Sequence, residues 1–536
     1  MLGDLIAGTR FLVTLPGFLR RPLTPAEAHA ILRRRFERRA MDFLSLMRIA
    51  VYEHPPSPYR PLLRAAGCEL GDLEQLVRRE GVEGALGALY RAGVYLTVDE
   101  FKGRRALVRG GERIESSPER LRNPLSTFHV PVRSSGTRGP GTPVPIDLAF
   151  IRDDAVDRLL FLVAEAEPRA VHAVWGIPGS AAIGHILRFA TCGLAMARWF
   201  SQVAPDAPGL HPRYRWSPRV LRWGGRVGGM ALPRPEHVSL EAPLPIAAWM
   251  VGVLARGGVP RLMTYAGSAV RLCQAAHAAG IDLAGARLEM SGEPVTSARV
   301  AAVRRTGATV SVHYGSSEVG CHIGYGCLRP QASDDLHLLH DMLAVIQPGT
   351  AARDHGVPAR ALLFSSLRAT TLFVLLNVSI GDAADLDQRP CGCPLGTLGW
   401  TTHLRNVRSF EKLTAGGMNL LDVDAIRILE EELPARCGGG PGDYQLVEQE
   451  GENGEALMRL LVRPEIRAEP DEVHRVFLAA VAQGPGVGPA IAALWRDAGF
   501  LRVERRPPLS TTAGKVLHLH RLHRERAGSA VHAPPP

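Results

Sequence analysis

From Ala269 the chain reads AVRLCQAAHAAG, with apolar residues at three- and four-residue intervals, which predicts a helix stopping at Gly280. ARLEMSG follows as a strand and loop, and PVTSARVAAVRRTG as a helix from Pro294 to Gly307. TVSVHYG then alternates, with Val310 and Val312 on one face, and predicts a strand. Repeated strand–helix–strand units imply a largely parallel sheet flanked by helices, with functional loops at the carboxyl ends of the strands. The expected class is α/β. Residues 1–105 read as a helical, arginine-rich region, with PSPYRPLLRAAG and DLEQLVRREG as pieces broken by Pro and Gly. Residues 106–407 carry the strand–helix alternation. A smaller α+β domain spans 408–525, built from DVDAIRILEEEL, YQLVEQE, ALMRLLVRPE, PDEVHRVFLAAVAQG and FLRVERR, and 526–536 read as a disordered tail.

At 536 residues the chain exceeds one ordinary core, so two or three domains are expected. No uninterrupted apolar run is long enough to span a bilayer. The opening MLGDLIAGTRFLVTLPGFLRR carries Asp4 and Arg10 and reads as a buried or peripherally docked helix rather than a signal peptide, which places the protein in the cytoplasm. The net charge of +10 does not indicate nucleic-acid binding, because the arginines are scattered and aromatics are 6% of the chain. The basic residues are lopsided: Lys102, Lys412 and Lys515 stand against 60 arginines. A retained lysine marks a place where a compact ammonium on a flexible stem matters. Eight cysteines are too few for a disulfide framework in a chain of this size.

Several short stretches carry candidate chemistry. Ser134, Ser135, Gly136, Thr137, Arg138 and Gly139, followed by Pro140-Gly141-Thr142, interleave hydroxyls with glycines, as backbone N–H groups converging on phosphate require. This is no Walker loop, since Gly-Lys-Ser/Thr is missing, and no Gly-x-Ser-x-Gly elbow supports a serine hydrolase. Later come Ser291-Gly292-Glu293-Pro294, Tyr314-Gly315-Ser316-Ser317-Glu318, Gly381-Asp382, Arg408-Ser409-Phe410-Glu411, Gly417-Met418-Asn419 and Thr511-Thr512-Ala513-Gly514-Lys515. In this order they resemble the motifs of the acyl-adenylate-forming (AMP-binding) superfamily, in its phenylacetate-CoA ligase-like branch. The resemblance spans residues 55–520.

The resemblance implies an ATP-dependent acid–thiol ligase that activates a carboxylic acid as acyl-AMP, releases pyrophosphate and transfers the acyl group to CoA. It implies a small mobile lid domain turning near Glu411. Glu318 would hold Mg²⁺, a hard cation suited to an oxygen ligand. Asp382 would accept both ribose hydroxyls, Arg408 would contact ribose or phosphate, and Gly292, Glu293 and Pro294 would line the adenine side. Tyr314 either stacks on adenine or packs in the core. Lys515 would meet the carboxylate and α-phosphate as charge builds, where a unit charge at about 4 Å is worth roughly 4 kcal/mol, about three decades in rate. Lys412, beside the turn, is structural or a helper.

Similar proteins also carry a cysteine and histidine set that maps onto Cys327, His337, Cys391 and Cys393, implying a closed structural Zn²⁺ site, with Cys321 as a substitute ligand. The chain departs from the family in Arg138 for a threonine, in Asn377-Val378-Ser379-Ile380 before Gly381, and in Phe410 at the hinge. The alternatives are an acyl-protein synthetase loading a carrier protein or a cysteine, or a non-catalytic scaffold. A homodimer fits the resemblance. The acid is expected to be aryl or medium apolar, bound by residues 175–320 including Trp175, Gly176 and the stretch around Ser268.

Overall fold

In the computed structural model the described residues are all except 1, 127–129, 134–142, 177–179, 205–212, 321, 350–355, 411–413, 416–417, 420–424, 451–455, 484–491, 493–500, 512–513 and 523–536. The chain divides into two compact units, residues 1–411 with 512–515, and residues 412–511 with 516–536.

The first unit opens with helix α1 (Leu2–Leu19), whose Phe11, Leu15 and Leu19 are buried. Helix α2 (Pro25–Glu37) starts where Thr24 and Glu27 cap each other and Pro25 supplies the preset φ of a first turn. The two pieces broken by Pro and Gly in the sequence are helices at Tyr59–Ala65 and Leu70–Arg91, the second interrupted at Gly81, φ +72°. Helix α3 (Leu148–Glu165) is capped by Asp147, which accepts from the N–H groups of Ala149 and Phe150.

Beyond it the chain builds β1 (Ala170–Gly176), helix α4 (Ser180–Thr191), β2 (Arg198–Ser201), helix α5 (Arg213–Val227), β3 (Pro235–His237) and β4 (Val259–Tyr265). Helix α6 (Ala266–Ala278), β5 (Arg287–Ser291), helix α7 (Ser297–Arg304) and β6 (Thr309–Tyr314) follow. These six strands pair in parallel, in the order β6-β5-β4-β1-β2-β3. Alternate residues along a strand feed opposite layers. Ala173, Trp175 and Leu262 join the larger core with Leu272 of α6 and Val303 of α7, whereas Val174 and Met263 join Leu15, Ile186 and Trp199.

Parallel pairing stops at β6. The sheet continues in antiparallel fashion through β7 (Gly324–Gly326), β8 (Leu336–Leu338), β9 (Leu343–Ile346), β10 (Ala361–Ser366), β11 (Val378–Gln388) and β12 (Thr402–Ser409), giving twelve strands among the described residues. The α/β class is as expected, and the antiparallel extension is an addition to it.

The second unit holds the sheet β13 (Tyr444–Glu450), β14 (Ala456–Val462), β15 (Leu501–Arg505) and β16 (Leu519–Leu522), with helix α8 (Pro470–Ala482) against it through Phe477 and Val481. No described helix is long and apolar enough to cross a membrane.

Candidate active site and metal centre

The strand order reverses between β1 and β4, because the chain runs outward from that boundary in both directions. Crevices in open parallel sheets form at such a reversal, beyond the carboxyl ends of the strands. Gly176 ends β1 and Tyr265 ends β4 at this place. Thr264 Oγ1 donates to the Trp175 carbonyl at 2.9 Å, Trp175 Nε1 to Val238 O at 3.0 Å, and Gln202 Nε2 to Ser268 Oγ at 2.9 Å. Trp175 and Ser268 are buried beside this reversal.

Lys515, grouped with the first unit, holds its ammonium 5.1 Å from the centroid of the Tyr265 ring. A Cβ at Gly292 would lie 2.9 Å from Tyr265 Cδ1 and 3.2 Å from Lys515 Nζ, and Gly292 has φ +72°, so glycine is required there on both grounds. The neighbouring Glu293 is buried and faces inward. Its Oε2 accepts from the Gly267 N–H at 2.6 Å and from Arg299 Nη1 at 2.8 Å, while Arg299 also donates to the Pro294 carbonyl at 3.2 Å. Glu293 thus fixes the loop that presents the 292–294 backbone. Burial, with Glu293 nearby, pushes the Tyr265 hydroxyl up to about 12.

Pairing of β6 with β5 sets Val312 beside Met290, so Tyr314 and Gly292 leave adjacent strands at one level. Tyr314 Oη donates to Asp382 Oδ2 at 2.8 Å, and burial, reinforced by that carboxylate, holds the tyrosine well above its ordinary pKa. After Tyr314 and Gly315, Ser316 Oγ donates to Glu318 Oε2 at 2.7 Å and accepts from the Glu318 N–H at 3.3 Å. Ser317 begins the turn that runs to Gly320. That turn lies against Phe150 so closely that a Cβ at Gly320 would sit 2.4 Å from the ring.

Arg408 is engaged elsewhere: its Nη1 donates to Asp334 Oδ2 at 3.0 Å, and Asp334 also accepts from the N–H groups of Asn406 and Val407. Ser134, Ser135, Gly136, Thr137, Arg138 and Gly139 lie outside the described residues, as do Glu411, Lys412, Gly417 and Cys321. The structure therefore sets Gly292 and Tyr314 at the ends of neighbouring strands, with Asp382 of β11 bonded to Tyr314 and Lys515 beside Gly292. Tyr265, which faces Lys515, Gly267 and Arg299, which hold Glu293, and Asp334, which holds Arg408, carry no motif by which sequence could single them out. In the second unit Gln445, fully buried, accepts from the Leu509 N–H and donates to the carbonyls of Leu509 and Leu517, so one amide side chain fastens both flanks of the segment bearing Lys515.

A second cluster sits just past the end of β7, on β8 and in the turn after β11. The candidate ligand atoms of Cys327, His337, Cys391 and Cys393 all lie within 4.8 Å of one another. His337 Nε2 is 3.6 Å from Cys391 Sγ and 3.2 Å from Cys393 Sγ, close to the edge of about 3.3–3.8 Å that a tetrahedron with zinc–ligand bonds of about 2.0–2.3 Å requires. His337 Nδ1 donates to the Trp400 carbonyl at 2.6 Å, which leaves the Nε2 lone pair facing the sulfurs. Gly392 has φ +67° and folds the Cys-Gly-Cys so that both sulfurs face one centre. Burial lowers the His337 pKa to about 4 and opposes ionisation of Cys393, but N–H donors from Gly396, Leu328 and Leu395 outweigh burial and bring that thiol below its usual value. The donor set fits a closed zinc site.

No family model matches the chain, and no curated protein matches it. Among solved structures it is similar to 2-hydroxyisobutyryl-CoA ligase in complex with 2-HIB-AMP and CoA, at 15% identity over 94% of this chain and 91% of that one, TM-score 0.45. It is similar to the O-succinylbenzoate coenzyme A synthetase of Bacillus subtilis in complex with ATP and magnesium ion, at 13% identity over 81% and 80%, TM-score 0.42. It is also similar to McyG A-PCP complexed with phenylalanyl-adenylate, at 11% identity over 76% and 70%, TM-score 0.41. At these identities and TM-scores the likenesses transfer no activity to this chain.

Proposed function

We propose that the chain is an adenylate-forming enzyme of the phenylacetate-CoA ligase-like kind, which joins a carboxylic acid to the α-phosphate of ATP with release of pyrophosphate, and then passes the acyl group to a thiol, CoA in the first instance, with release of AMP. The observation that carries this reading is that Gly292 and Tyr314 leave adjacent strands at one level, with Asp382 bonded to Tyr314 and Lys515 beside Gly292, groups scattered over more than two hundred residues of sequence.

Each group has a task that its surroundings suit. The carboxylate of Asp382, steadied by Tyr314, offers two oxygens to a pair of ribose hydroxyls. Glu318 supplies the oxygen ligand for Mg²⁺, with Ser316 fixing its rotamer. The metal, when bound, neutralises phosphate charge. Lys515 brings a unit positive charge to the point where the acid's carboxylate meets the α-phosphate, two anions that otherwise repel. Gly292 keeps the space beside that ammonium clear. The loop at 134–139 would cradle the phosphates that leave as pyrophosphate. Zinc at Cys327, His337, Cys391 and Cys393 would be structural, since four protein ligands leave no open position.

ATP–pyrophosphate exchange over a panel of aryl and medium-chain acids tests the reading. Exchange is expected with at least one acid and absent in Lys515→Ala, while nucleotide binding to the variant stays measurable. Equal exchange by both proteins would remove Lys515 from the chemistry. Subsequent addition of CoA or of a carrier protein identifies the acceptor by which thiol takes up the acyl group.

A further inference from the structure

Two stretches of the chain stand apart in charge. Residues 5–26 and 207–235 together contain nine arginines and no aspartate or glutamate, against a net charge of +10 for all 536 residues. Other parts of the chain mix both signs, and some of their arginines are matched, as in Arg35 with Asp153, Asp157 and Asp341, or Arg158 with Glu289. Arg10, Arg20, Arg21, Arg219, Arg222 and Arg226 pair with no carboxylate among the described residues.

The fold puts these stretches side by side. Leu15 of α1 lies against Gly224 of α5, where a Cβ would come within 2.6 Å of Leu15 Cδ2, and Leu19 lies against Gly228, at 3.0 Å. Both contacts have the same offset in sequence, so the helices run alongside each other in the same direction, and Val13 stands level with Arg222 and Trp223. Arg20 Nη2 donates to the Val227 carbonyl at 2.8 Å and ties the two ends together. With Leu15 and Leu221 buried, the helical period turns Arg10 and Val13 of α1, and Arg219, Trp223, Arg226 and Val227 of α5, to the outer side, with Arg20 exposed just past the end of α1. Val13 is 76% exposed, Trp223 57% and Val227 42%, three large apolar side chains left uncovered among unpaired cations.

We propose that the outer faces of α1 and α5 form a docking surface for an anionic lipid bilayer. A polyanion such as nucleic acid would satisfy the arginines but leaves Val13 and Val227 in water. A bilayer interface takes both: Trp at headgroup level with valines just beneath, and guanidinium groups against lipid phosphates. Residues this close to an anionic surface attract it strongly enough that reversing two arginines weakens binding by at least about thirtyfold. The attraction falls as salt shortens the screening length from about 10 Å at 0.1 M. The protein would lie on the membrane face, since no described helix can cross it.

Co-sedimentation of the full chain with vesicles of phosphatidylcholine, with and without 30–40% (about a third) phosphatidylglycerol, tests this. The expected result is binding to the anionic vesicles alone, lost in the double variant Arg219→Glu, Arg226→Glu and weakened in Trp223→Ala. Retained thermal melting and an unchanged monomer–dimer distribution would show that the loss is one of surface and not of fold. The proposal is overturned if wild type ignores anionic vesicles, if it binds neutral ones equally, or if the charge-reversed variant binds as wild type does. It is also overturned if double-stranded DNA displaces the protein at equal phosphate concentration, or if Trp223→Ala only dissociates a dimer.

Discussion

Tyr314 and Asp382, at 2.8 Å, join the end of the last parallel strand to an antiparallel strand 68 residues later in sequence. The bond crosses the line where the sheet changes character and brings one carboxylate of β11 to the end of β6. Replacing Asp382 with Asn keeps the shape but removes the charge that two ribose hydroxyls would favour. Charge-assisted hydrogen bonds are worth about 1.5–3 kcal/mol, so Asp382→Asn is expected to raise KM for ATP about ten- to a hundredfold. Tyr314→Phe, which removes one hydrogen bond from the carboxylate, should raise it a few-fold. Steady-state kinetics across ATP concentration checks both, and an unchanged KM in Asp382→Asn would disprove the ribose assignment.

The metal centre gives a prediction that needs no substrate. Protein expressed with zinc should carry one ion per chain by elemental analysis, and Cys393→Ser should lose it, because Cys393 is fully buried at 3.2 Å from His337 Nε2. Chelation should lower the melting temperature by several degrees, as four buried ligands lose their common partner. Substoichiometric metal together with a melting curve indifferent to chelator would leave these residues as ordinary reduced cysteines.

Local pattern made much of this legible. The alternation in TVSVHYG became β6, and the run in ARLEMSG became β5, both at the expected residues. Helix α7 starts later than Pro294 suggests, because Thr296 takes the cap and accepts from the Arg299 N–H. The antiparallel half was not legible. Strands such as Gly324–Gly326 and Leu336–Leu338 are three residues long and buried on both sides, too short for any period. Nor could sequence foretell that Glu289, a charge within a strand, is buried against Arg158, or that Glu293 turns inward to Gly267 and Arg299. Those partners lie on other elements, and their meeting is a property of the whole sheet.

Buried histidines set a direction for pH dependence. Burial pushes the His322 imidazole down to about 4 even though Asp154 accepts its Nδ1 at 2.9 Å; Arg188, His313 and His185 face it as well. His172, packed on Phe189, lies at about 3, again through burial, with Arg261 and Arg158 adding to it. Both values are below the unfolded value of about 6.5, so between pH 6.5 and 4 the unfolded chain binds protons that the native state refuses. Stability must fall as pH drops through this window, by about 2 kcal/mol per histidine at pH 5. His322→Gln should flatten the decline between pH 7 and 5 by that amount in urea titrations, and a decline as steep as wild type would refute the assignment.

The ion pair of Arg158 with Glu289 offers the sharpest test of the core. Both side chains are 1% exposed, Arg158 Nη2 reaches Glu289 Oε2 at 2.7 Å, and His313 Nδ1 stands 3.0 Å from the same carboxylate. Despite burial, which opposes ionisation, Arg158 holds Glu289 well below the usual carboxylate range, so the pair is charged at neutral pH. Removing one partner strands the other in a low-dielectric interior, which costs about 3–5 kcal/mol, whereas replacing both with apolar groups of similar volume removes two desolvation penalties at once. Arg158→Met and Glu289→Met should each lower the unfolding midpoint of the first unit sharply, and the double variant should lie well above the sum of the two losses. Arg261 has Glu165 as its nearer partner but also lies 3.8 Å from Glu289 Oε2, so the cycle reports the coupling with that second cation in place. Strictly additive losses in a double-mutant cycle would mean that the two charges are stabilised separately by their surroundings and not by each other.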